Sequence, residues 1–247
     1  VDEVSPFYTQ CTSALHSPLV YQMRSQMARL GAPARIHLLS DLVEGRVPRA
    51  KVYVFLNCFH LSDTARRAIS RTTAGRAAIW FYGGGFLGDD AAPVTAEGEY
   101  ERRMSDAVGL PLRRTVVQPG IARLVEDDRS IGTDLTLEPC WAVDEGAGAE
   151  VIARYADGSI AAAWRQTREG LRAYVGALHC PASVLRPLLR RAGVHLYATS
   201  DDVVLADDRF LGLAATSAGV KRIRLRRPAT VIDLLSGEVL GANVDGF

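Results

Sequence analysis

The stretch Lys51–Phe86, KVYVFLNCFHLSDTARRAISRTTAGRAAIWFYGGGF, decides how this chain is read. Val52, Tyr53, Val54, Phe55 and Leu56 form a near-continuous apolar run, the mark of a strand covered on both faces in a parallel sheet. Asn57–His60 is a short loop. Asp63–Ala74 then fits a helix, with Ser62 or Asp63 as N-cap and Gly75 as the stop. Ala77–Tyr82 is a second apolar strand that runs into the glycine turn Gly83–Gly85. In an open α/β sheet, ligands and reacting groups lie beyond the carboxyl ends of the strands. Chemistry is therefore expected at two tips, Asn57–His60 and Tyr82–Phe86. From Phe81 to Gly88 there is no Ser, Cys, Asp, Glu, His or Lys, so the place of a nucleophile is empty.

Working outward, Val1–Gln10 reads as irregular until a helix begins at Ser17-Pro18, with proline at the first helical position. Leu19, Met23, Met27 and Leu30 recur at helical spacing and are expected in the core, with Gly31 as the stop. Arg35–Leu39 reads as a short strand. Beyond the glycine turn, Glu97–Val108 is an amphipathic helix carrying Tyr100, Met104 and Val108. Short strands are expected at Arg113–Gln118, Gly132–Glu138, Val151–Tyr155 and Ile160–Arg165, with Asp157-Gly158 as a two-residue hairpin turn. Leu171–Leu178 is a further strand. Ala182–Ala192 is a helix that Pro187 should kink or shift. The tail reads as β, with strands at His195–Ala198, Val203–Ala206, Phe210–Thr216, Arg222–Leu225, Thr230–Leu234 and Glu238–Leu240.

The expected architecture is an α/β three-layer sandwich with a mainly parallel sheet and a C-terminal antiparallel β module. The division is residues 1–198, with a β-rich insertion at about 112–165, and a small β module at 199–247.

With 29 Lys+Arg against 28 Asp+Glu, no bulk charge argues for nucleic acid or membrane as a partner. Hydrophobic residues at 48% allow a real core. No apolar stretch approaches the roughly 20 residues of a membrane span, and the start shows no signal-peptide pattern, so a cytoplasmic location is expected. Cys11, Cys58, Cys140 and Cys180 show no metal-ligand or disulfide spacing and read as buried thiols. The basic group Lys221, Arg222, Arg224, Arg226 and Arg227 alternates with apolar residues. It reads first as the wet face of a strand, and second as a phosphate patch. The first residue is Val rather than Met, which fits an excised domain, a processed product or the ordered part of something larger.

The segment Lys51–Phe86 resembles the trimerisation domain of β-galactosidases, a degenerate relative of class I glutamine amidotransferases carried behind the catalytic barrel of large glycoside hydrolases. Asn57, Leu61, Ser62, Gly75, Trp80 and Gly85 fill the places of that pattern. The opening VDEVSPFYT and the run YVGALHCPASVLRPLLRRAGVHLYATSDD are similar to the entry and tail of such domains. The resemblance implies a flavodoxin-like fold, a neighbouring (β/α)8 barrel in cis or trans, and homo-oligomer assembly. It also implies that an active amidotransferase would place its cysteine near Gly83 or Gly84, where this chain has none. The barrel of about 250 residues is absent, so the chain taken as complete does not inherit hydrolysis.

The chemistry that remains is weighed at the tips. Cys58 and His60 alternate on an extended segment, which is the alternative catalytic pair of a small stand-alone hydrolase; the plainer reading is a buried thiol beside a structural histidine. Asn57, Tyr82, Gly83, Gly84 and Phe86 are the candidate ligand contacts, as an anion cradle or a sugar platform, against glycines that only permit close packing. His179-Cys180 precedes a helix, but neighbours in sequence point apart. The acidic pairs Asp89-Asp90, Asp127-Asp128, Asp201-Asp202 and Asp207-Asp208 read as solvated turns rather than paired glycosidase carboxylates. His16, His37 and His195 have no metal-ligand spacing. No cofactor and no metal are expected. The resulting expectation is a non-catalytic assembly domain, with carbohydrate as a further ligand.

Overall fold

The computed structural model describes residues 1–9, 14–89 and 98–247. Cys11 and Asp90 lie outside the described residues. The chain forms two compact units, Val1–Met23 with Ile36–Cys180, and Arg24–Arg35 with Pro181–Phe247.

The helices in chain order are α1 (Ser5–Thr9), a wide π-type turn (Ser17–Gln22) running into α2 (Met23–Ala28), α3 (Leu39–Val43), α4 (Asp63–Thr73), α5 (Glu99–Val108) and α6 (Ala182–Arg191). The strands of the first unit are β1 (Val52–Phe55), β2 (Ala77–Phe81), β3 (Leu112–Thr115), β4 (Ile121–Leu124), β5 (Ser130–Gly132), β6 (Cys140–Val143), β7 (Glu150–Tyr155), β8 (Ile160–Thr167) and β9 (Gly170–Val175). Those of the second unit are β10 (Val203–Ala206), β11 (Leu211–Ala214), β12 (Arg224–Ile232) and β13 (Val239–Gly246).

In the first unit the strand–helix–strand reading holds closely. Ser62 caps α4, its Oγ accepting from the Ala65 N–H at 3.1 Å. The helix buries Ala65, Ala68, Ile69 and Thr73. β1 runs parallel to β2 with Phe55 opposite Trp80, and β2 parallel to β9 with Trp80 opposite Tyr174. All five residues of β2 are buried, as a strand inside a covered sheet must be. Parallel pairing stops at this three-stranded heart. From β9 the sheet continues antiparallel through β8, β7, β4 and β5, with β6 on β8 and β3 on β6. Among the described residues the result is a mixed sheet of nine strands whose parallel part carries the two tips. The hairpin β7–β8 turns at Asp157-Gly158 as expected, with Gly158 at φ +86°.

Several expectations are corrected. Val1–Gln10 is not wholly irregular, because α1 forms once Asp2 caps it. Arg35–Leu39 is not a strand. Its backbone bonds Val1, through Val1 N to His37 O and Leu39 N to Val1 O, and the start of α3, through Leu38 N to Asp41 Oδ2 and Leu42 N to Leu38 O, rather than a neighbouring strand, while Ile36 and Leu38 stay exposed. Gly132–Glu138 is not a strand either. Gly132, at φ +96°, ends β5 and sends its N–H to His179 O. β4 and β6 were not expected; each has only four residues, too short for a period to show.

The second unit starts its helix α6 after Pro181 and contains Pro187 within it. Arg186 is buried and its Nη2 donates to Arg29 O, Ser200 O and Asp201 Oδ1. Tyr197, Ala198, Val204 and Ile223 form a small core packed by Leu211, Leu213 and Leu225. His195–Ala198 is not a strand, since its residues bond Gly31 and Arg224 singly rather than in a ladder. Arg222–Leu225 and Thr230–Leu234 are not separate strands but the ends of one, β12, which pairs β13 with register shifts. Pro228 is tolerated because a two-stranded ribbon has a free edge.

Candidate functional site

The first tip is covered by the start of the chain. Asn57, 2% exposed, accepts the Asp2 N–H on Oδ1 and donates from Nδ2 to Asp2 O, both at 2.9 Å. The Asp2 carboxylate accepts the N–H groups of Val4 (3.0 Å) and Ser5 (3.1 Å) and also the Ser5 hydroxyl. Ser5 Oγ in turn accepts the N–H groups of Phe59 (2.9 Å) and His60 (3.1 Å). Asp2 and Ser5 are both buried, so this knot of hydrogen bonds replaces the water that the loop would otherwise need. Sequence reading missed these two residues; the signal was Asp2-x-x-Ser5 ahead of a helical turn, an N-cap spacing.

Cys58 is 1% exposed, and burial pushes its thiol up to about 12. It makes no hydrogen bond with His60 among the described residues. His60 instead stacks on Tyr8, with ring centroids 4.7 Å apart, and holds Nε2 3.6 Å from Asp89 Oδ1. His16, buried beside the Phe59 ring, is lowered by desolvation despite the opposing pull of Asp2. The alternate spacing of Cys58 and His60 therefore sets a buried thiol two residues from a largely buried imidazole stacked on Tyr8.

The second tip turns sharply. Tyr82 has φ +48°, a backbone region that side chains rarely occupy. Three bonds hold it there: its N–H donates to Val175 O (2.8 Å), its hydroxyl to Pro139 O (2.6 Å), and its carbonyl accepts Tyr174 OH (2.7 Å). Burial raises its phenol. Gly83 and Gly84 are spaces filled by rings: a Cβ on Gly83 would lie 2.9 Å from Phe86, and one on Gly84 2.7 Å from Trp80. Phe86 packs against Phe59, Tyr100 and Trp141. The two tips are sewn together by Gly85 N to Cys58 O, Leu61 N to Leu87 O and Leu87 N to Phe59 O. The structure thus gathers Asn57, Tyr82, Gly83, Gly84 and Phe86 at one edge, with the Asn57 carboxamide and the Tyr82 N–H, C=O and hydroxyl bonded inside the protein and the Phe86 ring packed against three others.

Elsewhere the adjacent carboxylates take separate partners. Asp127 bonds Arg129, Asp128 bonds Arg123, Asp201 bonds Arg186 and Asp202 bonds Lys221. Asp207 accepts the N–H groups of Arg209 and Phe210. In the basic group, Arg226 lies over the Tyr197 ring at 5.6 Å. Among the described residues no three His, Cys, Asp or Glu side chains cluster as metal ligands, and no helix is long and apolar enough to cross a membrane.

No family model matches the chain, and no curated protein matches it. Solved structures do. The chain is similar to Gan42B, a GH42 β-galactosidase from G. stearothermophilus, at TM-score 0.62 and 16% identity, covering 96% of this chain and 35% of that one. It is similar to the β-galactosidase from Bacillus circulans sp. alkalophilus at TM-score 0.59 and 13% identity, covering 90% and 34%. The β-galactosidase from the Antarctic haloarchaeon Halorubrum lacusprofundi gives TM-score 0.56 and 19% identity, covering 98% and 38%. At these identities the likeness is one of fold: this chain folds like about one third of a GH42 β-galactosidase.

Proposed function

We propose that this chain is a non-catalytic assembly domain of a β-galactosidase-like glycoside hydrolase, with an amidotransferase-like, flavodoxin-like α/β unit that has lost its nucleophile. It would work beside a (β/α)8 barrel, in cis or trans, and against further copies of itself. The observation that carries this reading is the fold likeness to a third of several β-galactosidases, joined to the Asn57 and Tyr82 side chains at the strand tips, whose polar groups are bonded inside the protein. A surface for self-association is at hand in the first unit. Phe7 (79% exposed) and Tyr8 on α1 stand with Val4, and Val1 bonds the backbone beside exposed Ile36 and Leu38. Exposed apolar clusters of this kind favour contact with another protein surface.

Light scattering on the purified chain tests the proposal. A mass that is a multiple of 26.8 kDa is expected, falling toward the single-chain value in a Phe7→Asp, Tyr8→Asp double variant that keeps its circular dichroism. A wild-type chain that remains at 26.8 kDa at high micromolar concentration, with no barrel partner binding it, sinks the assembly role.

A further inference from the structure

A cleft of about 290 Å³ opens on the helix-covered face of the parallel strands, between α4 and α5, and two of its lining residues are buried or half-buried arginines. The Arg172 side chain is 7% exposed. Its Nη1 donates to Arg76 O (3.0 Å) and Leu171 O (3.2 Å), and its Nη2 to Glu169 O (3.2 Å). The nearest carboxylate oxygen, Glu169 Oε2, is 3.7 Å away on a side chain that is itself 79% exposed. Arg66 donates from Nε to Leu61 O (3.2 Å), from Nη1 to Arg103 O (3.0 Å) and from Nη2 to Gly85 O, and it makes no ion pair among the described residues.

A guanidinium has five N–H donors, and each of these two uses three on backbone carbonyls. Carbonyls satisfy hydrogen bonds but carry no full charge, and the carboxylates acting on the two guanidinium groups (Glu169 on Arg172, Asp63 and Asp106 on Arg66) are exposed, which leaves the charge compensated only from the solvent side. The carboxylate across the cleft, Asp106, offsets the Arg66 charge only in part; its side chain is 66% exposed and lies 3.4 Å from Arg102. Arg67 adds a third guanidinium to the lining. Leu61, Ile69, Ala78 and Trp80 give the wall an apolar part beside Ser70, Thr73 and Glu169, and the Trp80 indole N–H has no acceptor. The volume sits at the lower end of the range for small-molecule sites.

We propose that the α4/α5 cleft binds a small organic carboxylate, whose oxygens take the unused N–H groups of Arg66 and Arg172 while its apolar body lies against Leu61, Ile69 and Trp80. A planar carboxylate matches the guanidinium fork, and the apolar wall selects for an organic body over a bare inorganic anion. This inference does not depend on the assembly role.

Isothermal titration calorimetry of the whole 247-residue chain tests it, with benzoate, its neutral counterpart benzamide, and inorganic phosphate as probes. Saturable benzoate binding is expected at millimolar concentration or below, with benzamide weaker by about tenfold or more, the scale of one hydrogen bond to a charged group. Arg67→Glu reverses a charge on the lining, and Ser70→Trp fills the mouth from the exposed face of α4; both leave the carbonyl-bound arginines in place. Each should weaken benzoate by about tenfold with the unliganded melting temperature unchanged. Absence of saturable benzoate binding, equal binding of benzamide, tighter binding of phosphate, or undiminished affinity in both variants would each overturn the proposal.

Discussion

The Asn57 carboxamide and the Asp2 backbone N–H and C=O exchange two hydrogen bonds of 2.9 Å between residues 55 apart in sequence. The strand tip where a ligand is expected is bracketed by the chain's own start. Asn57→Ala leaves the Asp2 N–H and C=O buried without partners, which costs about 2 kcal/mol. Urea unfolding should show that loss, and limited proteolysis should cut the first residues faster than in wild type. An unchanged midpoint would mean that the bracket follows the fold rather than holding it.

Burial places the Cys58 and Cys180 thiols near 12, and Cys140 is raised as well. At pH 8 these thiols are protonated and enclosed. Iodoacetamide followed by peptide mass mapping should leave all three unmodified in the native protein and label all three in urea. Rapid alkylation of Cys58 in the folded state would revive the hydrolase reading.

Glu99 is held at about 2 by hydrogen bonds from Arg102 and then Arg103, with N–O distances from 2.6 to 2.9 Å. Its ordinary value is about 4.3. A lowered carboxyl stabilises the fold above its unfolded value, and that contribution fades as pH falls toward the folded one. Wild type should therefore melt higher than Glu99→Gln at pH 6, with the gap closing between about pH 4.5 and 2. Thermal melts by circular dichroism read this directly; a gap independent of pH would assign the difference to packing.

A methyl group at Gly84 would come within 2.7 Å of Trp80 Cε3, and Trp80 is itself stacked on Phe55 at 4.1 Å. Gly84→Ala must displace a ring enclosed on both sides, at a cost of about 1–3 kcal/mol. Guanidinium titration followed by Trp fluorescence should show a lower midpoint. The same change on a turn with room for it would be nearly neutral, so the size of the effect reports how tightly the turn is filled.

The sequence by itself determined the local pieces: the apolar runs of β1 and β2, the Ser62 cap of α4, the Gly109 end of α5 and the Asp157-Gly158 hairpin. Each is set by neighbours a few residues apart, through capping, period or φ. Tertiary structure decided how the antiparallel half of the sheet is assembled, because β3 pairs β6, β4 pairs β7 and β6 pairs β8 without a local turn to join them. It decided as well that Asp2 and Ser5 occupy the tip and that Arg66 and Arg172 share a cleft. Those pairings join residues tens of positions apart, and no spacing in the chain records which distant carbonyl a buried donor will reach.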